Sequence, residues 1–104
     1  MQKCTYYNIM KILMLFFRSK KSFDEMIKLS ETREDLYKTV PGLLQIVYMK
    51  DERTNQAGSI LFFDTEENLN AYRVSDLAKS IPKVYDLILP PELQIFDLIK
   101  QVIY

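Results

Sequence analysis

Histidine and tryptophan are absent from this chain, and cysteine occurs once, at Cys4. General acid/base work at neutral pH therefore lacks the side chain whose ordinary pKa suits it best. A multi-cysteine metal cluster, an intramolecular disulfide and any Ser-His or Cys-His nucleophile set are excluded as well. With two glycines in all, no Gly-rich phosphate loop or dinucleotide fingerprint is readable. What remains for chemistry is a set of seven tyrosines and six phenylalanines. A tyrosine brings an apolar ring for a planar ligand and a hydroxyl to orient it or to pass a proton. Tyr48 and Tyr72 are candidates on that ground, as ligand contacts or as core tyrosines with internally satisfied hydroxyls.

Three further side chains could join them. Arg33 lies on the apolar side of a helical pattern, four residues before Tyr37, where its stem can pack and its guanidinium can meet an anionic ligand or a carboxylate. Asp97 stands among Ile95, Phe96, Leu98 and Ile99, so it is either a buried carboxylate able to act as a base or an ordinary one at a sheet edge. Gln45 and Ser59 interrupt two apolar strands. A hairpin placing residue 47 opposite 59 would bring both to one face, as pocket hydrogen-bonders or as polar pairs between subunits.

The elements that must position these residues follow from periodicity. Residues 9–17, apolar at both parities apart from Lys11, read as a strand buried on two faces. Ser22-Phe23-Asp24-Glu25 has the form of a capping box, and the helix after it carries Phe23, Met26, Ile27, Leu29, Leu36, Tyr37 and Val40 at helical spacing until Pro41-Gly42 ends it. Residues 43–49 and 58–63 form a strand pair across a polar stretch. Asp64 is the expected cap of a second helix, bent near Ser75 and stopped at Pro82. Residues 83–93 read as a helical turn and loop, and 95–103 as a fourth strand, although Leu98-Ile99 and Val102-Ile103 also suit a helix.

The order β-α-β-β-α-β predicts an α+β, ferredoxin-like domain with both helices on one face of a four-stranded antiparallel sheet. Strands 1 and 2 are apolar on both faces, so the uncovered face predicts pairing with a second copy of the chain. The expected domain is 10–104, with residues 1–9, Cys4 among them, as an N-terminal extension.

Composition narrows the partners. Lys+Arg and Asp+Glu are both 14, so no global field recruits nucleic acid or an anionic membrane. Arg18, Lys20 and Lys21 form a local basic cluster, read as a solvated loop or as an anion site at the following helix start. The N-terminal apolar run is broken by Lys11 and has neither a signal-peptide cleavage site nor the length to span a membrane. A reducing, cytoplasmic setting fits the lone cysteine.

Four local patterns resemble the dimeric α/β-barrel superfamily, in particular its antibiotic-biosynthesis-monooxygenase-like and YdhR-like mono-oxygenase branches. They are the strand Ile12-Leu13-Met14-Leu15-Phe16-Phe17, the step Val40-Pro41-Gly42-Leu43-Leu44, the strand Gly58-Ser59-Ile60-Leu61-Phe62-Phe63, and the turn Asp64-Thr65-Glu66-Glu67 leading to Ala71-Tyr72. The resemblance implies two sheets paired back to back in a homodimer and a small-molecule pocket between sheet and helices. It further implies a cofactor-independent mono-oxygenase acting on a phenol or quinol. A non-catalytic homodimer that binds a small molecule or serves as an interaction module is the alternative. Asn68 and Asn70 would be pocket amides on this view, or merely solvated helix residues. The oxygenases and haem-degrading members typically place Asn, Trp and His in the pocket, and the missing His and Trp remove haem ligation through histidine. No metal, haem, flavin or nicotinamide is expected. The pocket should hold Tyr72 and Tyr48 at its polar end, with helix 2 and the Pro90-Pro91 loop as its entrance.

Overall fold

The structure is a computed structural model that describes residues 10–104. The expectations for residues 1–9, namely the extension, Cys4 and the first residue of strand 1, lie outside the described residues.

Four strands form one antiparallel sheet in the order β2-β3-β1-β4, with β1 at Lys11–Phe17, β2 at Leu43–Asp51, β3 at Gln56–Phe63 and β4 at Glu92–Asp97. This is the ferredoxin-like arrangement. Register fixes what each face carries. Leu13 pairs with Leu61 and Leu15 with Ser59, and Leu13, Leu15, Ala57, Leu61 and Phe63 are buried against the helices. Because side chains alternate, Ile12, Met14, Phe16, Val47, Ile60 and Phe62 fall on the other face, which no helix among the described residues covers. The double apolar character of strands 1 and 2 thus has a geometric basis.

The first helix, α1 (Phe23–Tyr37), opens on the expected capping box: the Ser22 hydroxyl accepts from the Glu25 amide at 3.1 Å, and the Glu25 carboxylate accepts from the Ser22 amide at 3.0 Å. Its Met26 and Ser30 are buried, whereas Ile27 and Leu36 are exposed. The buried stripe is therefore narrower than its apolar pattern. The helix ends at Tyr37, and a turn carries the chain through Val40 to Gly42, whose φ of +74° suits glycine. There the Asp64 amide donates to the Gly42 carbonyl at 2.9 Å, tying the start of β2 to the end of β3.

The expected second helix is three short ones, α2 (Glu66–Arg73), α3 (Asp76–Lys79) and α4 (Ile81–Val84). Thr65 rather than Asp64 caps α2, its hydroxyl accepting from the Asn68 amide at 3.1 Å. The expected bend at Ser75 is a break. The Ser75 hydroxyl donates to the Tyr72 carbonyl at 2.6 Å and accepts from the Ala78 amide at 3.2 Å, closing one helix and starting the next. Pro82 does not stop a helix but sits in the first turn of α4, where its missing N–H costs nothing.

The fourth strand is earlier and shorter than predicted. It begins straight after Pro91, and the ladder ends with the start of β1: Lys11 pairs with Asp97, and the Leu98 amide then donates to the Met10 carbonyl at 3.1 Å. Residues 98–104 have no regular structure. The basic loop is held from both sides, since Arg18 Nε donates to the Thr54 carbonyl at 3.1 Å and the Lys20 amide to the Asp86 carbonyl at 3.0 Å. No helix among the described residues is long and apolar enough to cross a membrane.

Candidate functional site

Between α1 and the helix-covered face of the sheet lies a cavity of about 260 Å³. Its floor is Leu15 of β1, Ile46 and Tyr48 of β2, and Ala57, Ser59 and Leu61 of β3; its roof is Phe23, Met26, Ile27, Ser30 and Tyr37 of α1. Tyr72, Ile81 and Tyr85 close its inner end. The lining residues that stay exposed, Asp24 and Ile27 on α1 and Tyr48 and Lys50 on β2, mark the mouth. It opens between α1 and the edge strand β2. The expected entrance at helix 2 and Pro90-Pro91 is thereby corrected: the two prolines do not line the cavity, because they lie at the start of β4, at the opposite edge of the sheet from β2.

Hydroxyls are the chamber's polar equipment. Tyr72 is 3% exposed, and its hydroxyl shares a 2.9 Å hydrogen bond with that of Tyr37. Each hydroxyl has one proton and two lone pairs, so the pair keeps one donor and spare acceptor capacity. Burial pushes the Tyr72 pKa well above the ordinary tyrosine value, and the neighbouring Tyr37 adds to it. Tyr48 stands at the mouth, 45% exposed, yet loss of solvation and then Tyr85 and Tyr37 push it up to about 12. Desolvation likewise raises Tyr85 against the opposing Arg33 charge. At neutral pH these three are protonated donors. None is a base.

Arg33 stands behind this cluster rather than in it. Its guanidinium lies 6.0 Å from the Tyr37 ring centre and 5.9 Å from that of Tyr85, and Nη2 donates to the Ser80 hydroxyl at 3.0 Å. Its Nε is buried without a partner among the described residues. The residue braces α1 against the α3–α4 junction and lends positive potential to the ring cluster, and no carboxylate pairs with it among the described residues.

Three candidate site residues lie elsewhere. Asn68 Nδ2 donates to Asp64 Oδ1 at 2.8 Å, locking the turn after β3, and Asn70 is exposed with its amide oxygen near Arg73 at 3.4 Å. Asp97 pairs with Lys11 across the β4–β1 ladder, its side chain 73% exposed. Strand 4 is an edge strand, so the carboxylate meets water instead of a core. Gln45 and Ser59 also part company. Tyr48, not residue 47, is opposite Ser59, and Gln45 is opposite Phe62. That one-residue difference puts Ser59 in the chamber and Gln45 on the uncovered face.

Sequence reasoning missed Tyr37 and Tyr85 as members of the site. Tyr37 carried a signal in its place four residues after Arg33 on the apolar stripe. Tyr85 carried none, because it enters the chamber only through the turn after α4.

No family model and no curated protein matches the chain by sequence. Solved structures do match in fold. A Nitrosomonas europaea protein of unknown function superposes with a TM-score of 0.73 at 14% identity, covering 94% of this chain and 97% of its own. A Bordetella bronchiseptica protein described as a candidate antibiotic biosynthesis monooxygenase gives 0.71 at 11% identity, over 91% of this chain and 99% of that one. SnoaB of Streptomyces nogalater, a cofactor-independent oxygenase, gives 0.68 at 10% identity, over 85% and 91%. At such identities the likeness is one of fold. The fold is the one that the motif resemblance implied.

Proposed function

We propose that the chamber binds a small phenol or quinol and that the protein oxidises it with molecular oxygen, as a cofactor-independent mono-oxygenase. The observation that carries this reading is a mainly apolar cleft of about 260 Å³, open at one end, with tyrosine hydroxyls at its inner end. A cavity of roughly 150 Å³ suffices for benzene, so one or two fused rings fit. The fold shared with SnoaB supports the choice of chemistry.

In such a reaction a phenolic ring gives up two hydrogens. One oxygen atom of O₂ enters the product as a carbonyl, and the other leaves as water with those hydrogens. No external reductant is consumed. The Tyr37–Tyr72 pair would donate to the substrate oxygen and stabilise the phenolate, with Arg33 adding a favourable field from behind the rings. The walls exclude water from the reacting carbon. Proton loss runs through the mouth to solvent, because the Tyr72 hydroxyl at the inner end stays protonated.

The test is oxygen uptake with a panel of quinols and phenols in chelator-treated buffer, followed by isotope analysis under ¹⁸O₂. One labelled atom in the organic product supports the reading. Uptake no faster than in protein-free buffer contradicts it. That no carboxylate or histidine lines the inner end among the described residues favours a second reading, a binding protein without catalysis, and that reading is supported if ligands stabilise the protein and are recovered unchanged.

The uncovered sheet face supports a homodimer as the working form. It is apolar over Ile12, Met14, Phe16, Val47, Ile60 and Phe62, with Gln45, Gln94 and the charged Glu92 on the same face in the two edge strands. A two-fold axis opposes a patch to itself, and the central strands of this one carry no charge on that face.

A further inference from the structure

Ser59 stands in the middle of β3 on the chamber floor, 6% exposed. Its hydroxyl makes no hydrogen bond to a described residue, yet it is not sealed off: the one fully buried, unpartnered side-chain atom among the described residues is Arg33 Nε. The hydroxyl therefore opens into the chamber, where a ligand oxygen can reach it. If only a small side chain were needed to leave space, alanine would serve, as Ala57 does two residues earlier on the same face. The cross-strand neighbours are Leu15, which has nothing to offer, and Tyr48, whose hydroxyl makes no bond to it. Other hydroxyls of the chamber do have protein partners: Ser30 donates to the Ile27 carbonyl at 2.7 Å, and Tyr37 and Tyr72 share one bond, which leaves Ser59 as the hydroxyl of the chamber floor between the strands without one among the described residues.

We propose that Ser59 is the residue that selects the chamber's ligand, its hydroxyl bonding to the hydroxyl or carbonyl oxygen of a flat aromatic molecule. The ligand class is then an oxygen-bearing arene rather than a hydrocarbon. The flat body lies between the α1 roof and the strand floor, and its oxygen points down at β3. A serine suits either oxygen type, since its hydroxyl both donates and accepts. The assignment rests on the chamber being a ligand site, and it adds which atom of the ligand is read and by what.

The experiment compares 1-naphthol with naphthalene as probes, binding each to wild type, Ser59→Ala and Tyr72→Phe and following probe fluorescence. The proposal expects wild type to prefer naphthol. In Ser59→Ala, naphthol affinity falls about tenfold, the effect of one hydrogen bond, while naphthalene affinity is unchanged. Because Ser59 makes no internal bond, Ser59→Ala should melt no lower than wild type, which keeps the comparison free of folding loss. Equal naphthol affinity in wild type and Ser59→Ala overturns the proposal, whether the hydroxyl then serves only a bound water or nothing. So does a loss of naphthol preference in Tyr72→Phe but not in Ser59→Ala, which would move the docking point to the tyrosine pair. If wild type binds neither probe, the chamber itself is not such a site, and the reading beneath the proposal fails with it.

Discussion

Tyr72 was legible as a candidate because a tyrosine in an apolar helical stripe must do something with its hydroxyl, and the structure gives that hydroxyl to Tyr37. Replacing Tyr72 by Phe removes one uncharged hydrogen bond and should lower stability by about 1 kcal/mol, measured by denaturant titration. The pH response carries a second prediction. Tyr48, Tyr72 and Tyr85 all have pKa values raised above the ordinary one near 10. Above that pH the unfolded chain releases these protons while the folded one holds them, so stability is full below about pH 10 and falls as pH rises through the folded values. For Tyr48 that means a loss extending to about 12. Melting curves at stepped alkaline pH should show the decline in wild type, and a shallower one in Tyr72→Phe. An identical slope in both would mean that Tyr72 is not desolvated as described.

Within the elements, the first three strands and α1 were readable because their signals are local: unbroken apolar runs, a capping box, and a Pro-Gly stop. The break-up of the second helix was harder. Ser75 and Ser80 each bond a carbonyl of the preceding turn, and competition of this kind is invisible until the turn exists. Of the two readings of Asp97, the sheet-edge one holds. Apolar neighbours in sequence argued for burial, but β4 is an edge strand, and edge position follows from sheet order rather than from composition. The Gly42 turn offers an element-level prediction. A Cβ at Gly42 would stand 2.2 Å from Asp64 Oδ1 and 2.4 Å from Asn68 Nδ2 on a backbone at φ +74°. Gly42→Ala should therefore cost at least about 2 kcal/mol, strain and overlap together, seen as a lowered denaturant midpoint. A variant as stable as wild type would show that the Asp64–Asn68 lock is soft.

At the scale of the whole molecule, the uncovered apolar face was legible from two-sided strands, whereas the chamber was legible only as an expectation that gaps accompany large, adaptable side chains. Its mouth was not, because the spacing between α1 and β2 is set by side chains distant in sequence. The proposed homodimer predicts a two-chain species in sedimentation at micromolar concentration. Met14→Lys, which buries a charge in that interface, should unfold or aggregate the protein, and a soluble, folded monomer from either chain would contradict the interface. The chamber as a binding site for small phenols and quinols is tested most directly by thermal melting of wild type and Ala57→Leu against a panel of such compounds. Ala57 is buried in the chamber floor, and a leucine there fills the space. At a ligand concentration about 100-fold above Kd, binding should stabilise wild type by about 2.7 kcal/mol, or roughly 10 °C in Tm, with little response from Ala57→Leu. A panel that moves neither protein, or moves both equally, would contradict the account.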